Sequence, residues 1–219
     1  MIVQKTIADH IYEVLKEEIL NLKIEPGQKL SEKGIAERFD VSCAPARNAI
    51  SKLQGEGLVI VRPQVGTLVS SISYQKAADL FTIRLLLEPF AAKKAVRRIP
   101  QEELEVLKKE HENLCQMEKE GNITHEIINS FDKHLHSLLL KWSGNIEITN
   151  ILSNFSNETR RIRLSTTDVV DIETPNRQEL DNLFDAIMTR SGKKAERAMV
   201  IHLTSVKKSV LRALSKKYF

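Results

Sequence analysis

No run of 18 apolar residues occurs in the 219-residue chain, so a membrane-spanning helix is not expected. The opening MIVQKTIADHIYEVL mixes acidic residues into its apolar positions and lacks signal-peptide order, which points to a soluble, cytoplasmic protein without a membrane partner. Cysteine is equally sparse. Cys43 and Cys115 form no CxxC pattern and fall in different expected domains, which argues against a structural disulfide. Internal repeats and low-complexity tracts are also missing. Nor is there an overall charge signal where one might be sought: residues 1–72 hold nine Lys/Arg and nine Asp/Glu, so the net +4 lies wholly in residues 73–219, with 24 and 20. Bulk charge therefore gives no argument for nucleic acid; local placement has to supply it.

What is present is organised around residues 27–71. Glu32 to Phe39 has a short helical pattern, Asp40-Val41-Ser42 breaks it, and a second helix opens at Pro45 with Ser42 as its N-cap. Gly57 ends that helix. A break this short forces two helices to cross steeply, with Ile35, Ala36, Phe39 and Val41 inside. In the second helix Ala46, Ala49, Ile50 and Leu53 recur at core spacing, leaving Arg47, Asn48, Ser51, Lys52 and Gln54 outward. Two β-branched runs, Leu58 to Arg62 and Thr67 to Ser71, then read as a hairpin with Gly66 at its tip. Helix, turn, helix and hairpin in this order describe a winged helix-turn-helix, whose polar and partly basic second helix suits a DNA major groove. Lys33, Arg47, Lys52 and Arg62 are expected on one side of it.

The run SxxPxRxAIxxLxxEGLV, made by Ser42, Pro45, Arg47, Ala49, Ile50, Leu53, Glu56, Gly57, Leu58 and Val59, resembles the signature of the GntR family of bacterial winged-helix transcription regulators. Pro26, Gly27, Leu30 and Gly66 extend the likeness. The resemblance implies DNA contacts from Lys33, Ser42, Cys43, Ala44, Arg47, Asn48, Lys52, Arg62, Gln64 and Gly66. Many members carry arginine where this chain has Cys43. A bidentate reader of guanine is thereby lost, so a different operator is expected. Cys43 also admits a redox-sensing role, against its reading as an ordinary small residue.

A helix from Thr6 to Asn21, with its stripe Ile7, Ile11, Leu15 and Ile19, covers this unit, and residues 1–72 make the first domain. From residue 73 the pattern is helical throughout. Stop signals divide it into Tyr74 to Arg98 with a kink at Pro89, Gln101 to Glu120, Thr124 to Trp142, Asn145 to about Leu164, Thr174-Pro175 to Arg190, and Lys193 to Lys217. The expected architecture is thus mainly α, a winged domain followed by an antiparallel six-helix bundle over residues 73–219.

Three runs in the bundle resemble the FCD ligand-binding domain of one GntR branch. They are Arg84-Leu-Leu-Leu-Glu88 with Ala91-Ala92, Asp132-Lys-His-Leu-His136 with Ser143-Gly144-Asn145, and Asp185-Ala186-Ile187 with Ala195, Ala198, Met199, His202 and Leu203. Independently of the family, Asp132 and His136 stand one helical turn apart on one face, as two ligands of a metal must, and His134 points elsewhere. The resemblance adds His202 as a third ligand and implies a fourth on the fifth helix, where this chain has Leu180. Glu179 and Asp181 adjoin Leu180 but are rotated about 100° from it, so neither replaces the ligand. A divalent zinc, nickel or manganese ion is therefore an uncertain cofactor.

The function implied is a homodimeric regulator that binds an inverted-repeat operator in double-stranded DNA and a small carboxylate effector, with Arg84, Asp132, His136 and His202 as effector-site residues. For Arg84 an ion pair with Glu88 is an equally good reading. The rival readings are a metal-dependent enzyme built on Asp132, His136 and His202, which lacks a candidate nucleophile or separate base, and a metal-free regulator binding a bulkier apolar effector.

Overall fold

The structure, a computed structural model, describes residues 5–166 and 176–218. The described residues divide into two units, residues 5–73 with 157–166, and residues 74–156 with 176–218.

The first unit opens with α1 (Ile7–Leu20). Thr6 caps it reciprocally with Asp9: the hydroxyl accepts from the Asp9 N–H, and the Asp9 carboxylate accepts from the Thr6 N–H, at 3.2 and 2.9 Å. Such boxes contribute about 1 kcal/mol. The chain then forms β1 (Lys29–Leu30), α2 (Glu32–Arg38), α3 (Cys43–Gly55), β2 (Val59–Arg62) and β3 (Gly66–Val69). The core joins Ile11, Leu15 and Ile19 of α1 to Ile35 and Ala36 of α2 and to Ala46, Ala49, Ile50 and Leu53 of α3, with Phe39 and Val41 packed at its edge. Asp40, in the tight turn, takes φ +51°, a left-handed conformation that an aspartate tolerates. Gly57, at φ +70°, follows the C-cap of α3 and lets the chain reverse into the hairpin.

Two details differ from the sequence expectation. Ser42 has the extended backbone of an N-cap, yet its side chain makes no capping bond. The hairpin is also the larger part of a three-stranded antiparallel sheet in the order β1-β3-β2, because Lys29 pairs with Leu68 and Leu30 with Thr67. Two residues are too short for alternation to reveal a strand. Gly66 pairs with Arg62 at the end of the ladder, and the turn itself is Pro63-Gln64-Val65, with Gln64 at φ +64°.

The second unit contains, among the described residues, α4 (Tyr74–Ala95), α5 (Gln101–Lys119), α6 (His125–Trp142), α7 (Ile146–Asn154), α9 (Arg177–Met188) and α10 (Gly192–Tyr218). α4 runs unbroken through the buried Pro89 and ends three residues before the expected Arg98. α4 and α10 pack along each other, α9 lies on α10, and α6 lies on α4. Their shared core includes Ala92, Ala95, Leu107, Leu135, Leu138, Leu180, Leu183 and Leu203.

The expected helix from Asn145 to Leu164 is two helices. α7 ends at Asn154 with Phe155 as its C-cap, and α8 (Ser156–Thr166) belongs to the first unit from Asn157 onward. The polar run Ser153-Asn154 before Phe155 and Ser156-Asn157 after it supplies side chains that compete for backbone hydrogen bonds and so favour the interruption. α8 then lays its basic face on α1. Arg160 reaches Glu17 at 3.0 Å and Asn21 at 2.8 Å, while the fully buried Arg161 donates to the Ser70 carbonyl. The expected start of the fifth helix at Thr174-Pro175 lies outside the described residues; among those described, Asn176 caps α9 through the Gln178 N–H.

Candidate functional site

The exposed surface of α3 presents Cys43, Ala44, Arg47 and Asn48, with Ser42 just before it. Spacings of three and four residues place Ala44, Arg47 and Asn48 on one face. Arg62 and Gln64 are exposed on the hairpin, and Gly66 is partly covered. Arg47 is held by α2: its Nε lies 3.0–3.1 Å from both Glu32 oxygens and its Nη2 2.9 Å from Oε2. The Arg47 hydrogen bond holds the Glu32 carboxyl below its ordinary range. Lys33 lies 3.7 Å from Glu37 one turn on. Lys52 is turned toward α1, where Asp9 takes its ammonium beside the Tyr12 ring. Arg47, Lys33 and Lys52 are thus each matched to a local carboxylate, so these cations sit on the surface already paired.

In the second unit, three helices bring Asp132 and His136 of α6, Glu88 and Arg84 of α4 and His202 of α10 into one buried cluster, and α9 adds Glu179. The ligand atoms of Asp132, His136 and His202 all lie within 4.8 Å of one another. His136 Nε2 is 3.3 Å and His202 Nε2 3.1 Å from the same Asp132 Oδ1. Each imidazole turns its other nitrogen to a glutamate: His136 Nδ1 is 2.5 Å from Glu88 Oε2, and His202 Nδ1 is 3.5 Å from Glu179 Oε2. Arg84 Nε donates to Glu88 Oε1 at 2.5 Å, so the ion-pair reading of Arg84 is observed. His134 points away and meets Glu110.

In the sequence Glu88 stands out as a motif residue and as the ion-pair partner of Arg84, not as a partner of His136, and Glu179 is set aside as a replacement ligand. An i,i+4 rule finds neither role, because both contacts cross between helices. Leu180 is fully buried in the apolar core, and Asp181 turns to His111.

Opposite charges shift His136, His202, Glu88 and Asp132 toward their charged forms. Burial alone would lower His136, but the Glu88 and Asp132 carboxylates overcome it and push it up to about 9. His202 is also raised, with the Asp132 and Glu179 carboxylates outweighing burial. Burial acts to raise Glu88 and Asp132; Arg84 and His136 bring Glu88 down to about 2, and the two histidines hold Asp132 well below the carboxylate range. With neutral imidazoles, Arg84 against the carboxylates of Glu88, Asp132 and Glu179 leaves two negative charges uncompensated. Two protons on the histidines, or one divalent cation, would balance them.

The cluster fits a metal on its own geometry. Asp132 Oδ1 and His136 Nε2 are buried with no properly directed hydrogen bond, although they converge with His202. Buried polar atoms left in this way cost roughly 1–3 kcal/mol each unless something else meets them. Carboxylates on the far nitrogens are the arrangement that orients metal-bound histidines.

Residues 7–69 match the family model for bacterial regulatory proteins of the gntR family, and residues 79–205 match that of the FCD domain. The chain belongs to the gntR family of transcription regulators, in the branch that carries an FCD domain. It is 31% identical over 206 residues to the HTH-type transcriptional repressor RspR of Escherichia coli strain K12, covering 93% of this chain and 89% of that one. It is 27% identical to the HTH-type transcriptional regulator LutR of Bacillus subtilis strain 168, covering 86% and 94%. In fold it is similar to a crystal structure of a GntR regulator from Rhodococcus sp. RHA1, with TM-score 0.69 and 19% identity over 94% of this chain and 97% of that one. The family is one of DNA-binding regulators, so the enzyme reading of Asp132, His136 and His202 is set aside. No helix among the described residues is long and apolar enough to cross a membrane.

Proposed function

We propose that this regulator works as a cytoplasmic homodimer on an inverted-repeat operator, and that its FCD unit binds one divalent transition metal together with a small carboxylate effector. The observation that carries the effector site is the convergence of Asp132, His136 and His202 on a common point with buried, unsatisfied ligand atoms. These three residues would hold zinc, nickel or manganese, and a bound ion would supply a positive centre able to attract a carboxylate. Glu88 orients the His136 imidazole by a hydrogen bond, Glu179 places a carboxylate 3.5 Å from the far nitrogen of His202, and Arg84, tied to the cluster through Glu88, adds a second cation to the effector's surroundings.

The operator is read by Ser42, Cys43, Ala44, Arg47 and Asn48 from α3, while Lys33, Arg62, Gln64 and Gly66 serve the backbone or the groove edges. Lys52 joins them only by leaving Asp9. A single α3 spans too few base pairs for useful selectivity, so two half-sites are required. A dimer is supported by exposed apolar side chains on α4, where Leu86 and Phe90, one turn apart, are 71% and 44% exposed.

The test is selection of binding sites from random duplex DNA, followed by titration with metal and small carboxylates. A palindromic consensus whose affinity changes only when metal and acid are both added agrees with the proposal. A non-repeated consensus, or an acid response identical without metal, contradicts it.

A further inference from the structure

Away from the buried histidine centre, α5 and α9 assemble a second group of reactive side chains in the FCD unit. Cys115, partly exposed on α5, accepts from Arg177 Nη2 at 3.1 Å and faces His111 Nδ1 at 3.9 Å. Asp181 Oδ1 lies 2.7 Å from His111 Nε2 and also takes Arg177 Nη1. Glu118 approaches Arg177 Nε at 3.4 Å. The imidazole is clamped flat on Phe184, with ring centroids 3.8 Å apart and an interplanar angle of 6°.

These contacts assign directions. The Asp181 carboxylate is an acceptor for His111 Nε2–H, and in the neutral imidazole that tautomer leaves Nδ1 as an acceptor facing the thiol. Thiol, imidazole and carboxylate then stand in the order nucleophile, base and orienting group, with a fixed guanidinium beside the sulfur. The guanidinium at hydrogen-bond distance is placed to meet negative charge that develops on the sulfur as it gives up its proton.

We propose that Cys115 is a peroxide-reactive thiol, and that hydroperoxides convert it to sulfenic acid. Sγ gives its proton to His111 Nδ1 and attacks the terminal oxygen of the hydroperoxide. An S–O bond forms as the O–O bond breaks, the sulfur losing the two electrons that reduce the peroxide. The departing oxygen takes the proton from His111 and leaves as water or alcohol, and the hydroxyl stays on sulfur beside Arg177. Partial exposure lets the oxidant in. The competing account is that Arg177, Asp181 and His111 only staple α9 to α5; it leaves the thiol with ordinary reactivity.

The test uses the full chain carrying Cys43→Ser, so that one thiol remains, treated with hydrogen peroxide near neutral pH. Loss of thiol and dimedone trapping at Cys115 are followed by peptide mass spectrometry. The folded protein should react at least about tenfold faster than the same chain in urea, as activated thiols do. His111→Gln and Arg177→Met should each bring the rate close to that of the unfolded chain, with helical circular dichroism retained. A folded rate no higher than the unfolded one overturns the proposal without recourse to either variant. A fast rate that neither substitution alters overturns the assignment of the base and the cation.

Discussion

Glu179 stands one position before Leu180 on α9, and its carboxylate comes within 3.5 Å of Nδ1 of His202. The helix that carries the buried Leu180 therefore still reaches the cluster, through the far side of a histidine. Glu179→Gln should leave the fold intact and weaken metal binding by about 10–100-fold, the usual effect of removing such a partner. Competition with a chelating dye measures this. An unchanged affinity would mean that the contact is incidental.

Arg47→Ala should weaken binding to a selected operator by about 1–3 kcal/mol, if the guanidinium makes a paired base contact. Glu32→Gln should act in the opposite direction, because Arg47 would no longer have to leave a carboxylate to reach DNA. Fluorescence anisotropy on one labelled duplex decides both. Equal affinities for all three proteins would remove Arg47 from the interface.

At position 43 the expected effect is on preference. Cys43→Arg should enrich guanine at one position in each half-site, since a bidentate contact becomes available. Site selection with both proteins gives the answer, and identical consensus sequences would show that this position reads no base.

The attachment of α8 to the winged unit makes a prediction about stability. Arg161 is fully buried and bonded to Ser70, so Arg161→Ala should cost about 2–5 kcal/mol by combining a cavity with a lost charged hydrogen bond. Its neighbour Arg160 pairs with Glu17 at the surface, and Arg160→Ala should cost at most about 1 kcal/mol. Urea denaturation compares them. Similar costs for the two variants would contradict the burial argument.

Acid should loosen the same unit. Glu18 and Glu17 are lowered chiefly by hydrogen bonds from Arg38 and Arg160; in Glu56, Lys16 and Tyr12 overcome the opposing effect of burial. Carboxyls lowered on folding add stability that is present above their ordinary value of 4.5 and is lost as pH falls below it. The melting temperature should therefore fall more steeply below that pH in the parent protein than in a variant with Arg38→Gln and Arg160→Gln. Parallel slopes would refute the pairing.

The winged unit was largely legible in the sequence because its signals are local: the break at Asp40, the spacing of Ala46, Ala49, Ile50 and Leu53, and Gly57 after the helix. The two-residue strand β1 was not, since only its pairing with β3 defines it. The interruption at Phe155 is hidden from the sequence for a related reason. The apolar positions there continue at helical spacing, while the partners that capture Arg160 and Arg161, Glu17 and Ser70, lie 143 and 91 residues away in sequence. In the buried cluster, Asp132 and His136 followed from one turn of helix, and His202 came from the family likeness. Glu88 and Glu179 became visible only when α4 and α9 were folded against α6 and α10.

Native mass spectrometry of the purified protein, after incubation with zinc, nickel and manganese in turn, tests the central claim most directly. The predicted species is a dimer carrying about one ion per chain, and Asp132→Ala should abolish the metal because it removes the oxygen shared by both histidines. A protein that stays metal-free with every ion would contradict the account, and the buried Leu180 in place of a fourth ligand would be the reason.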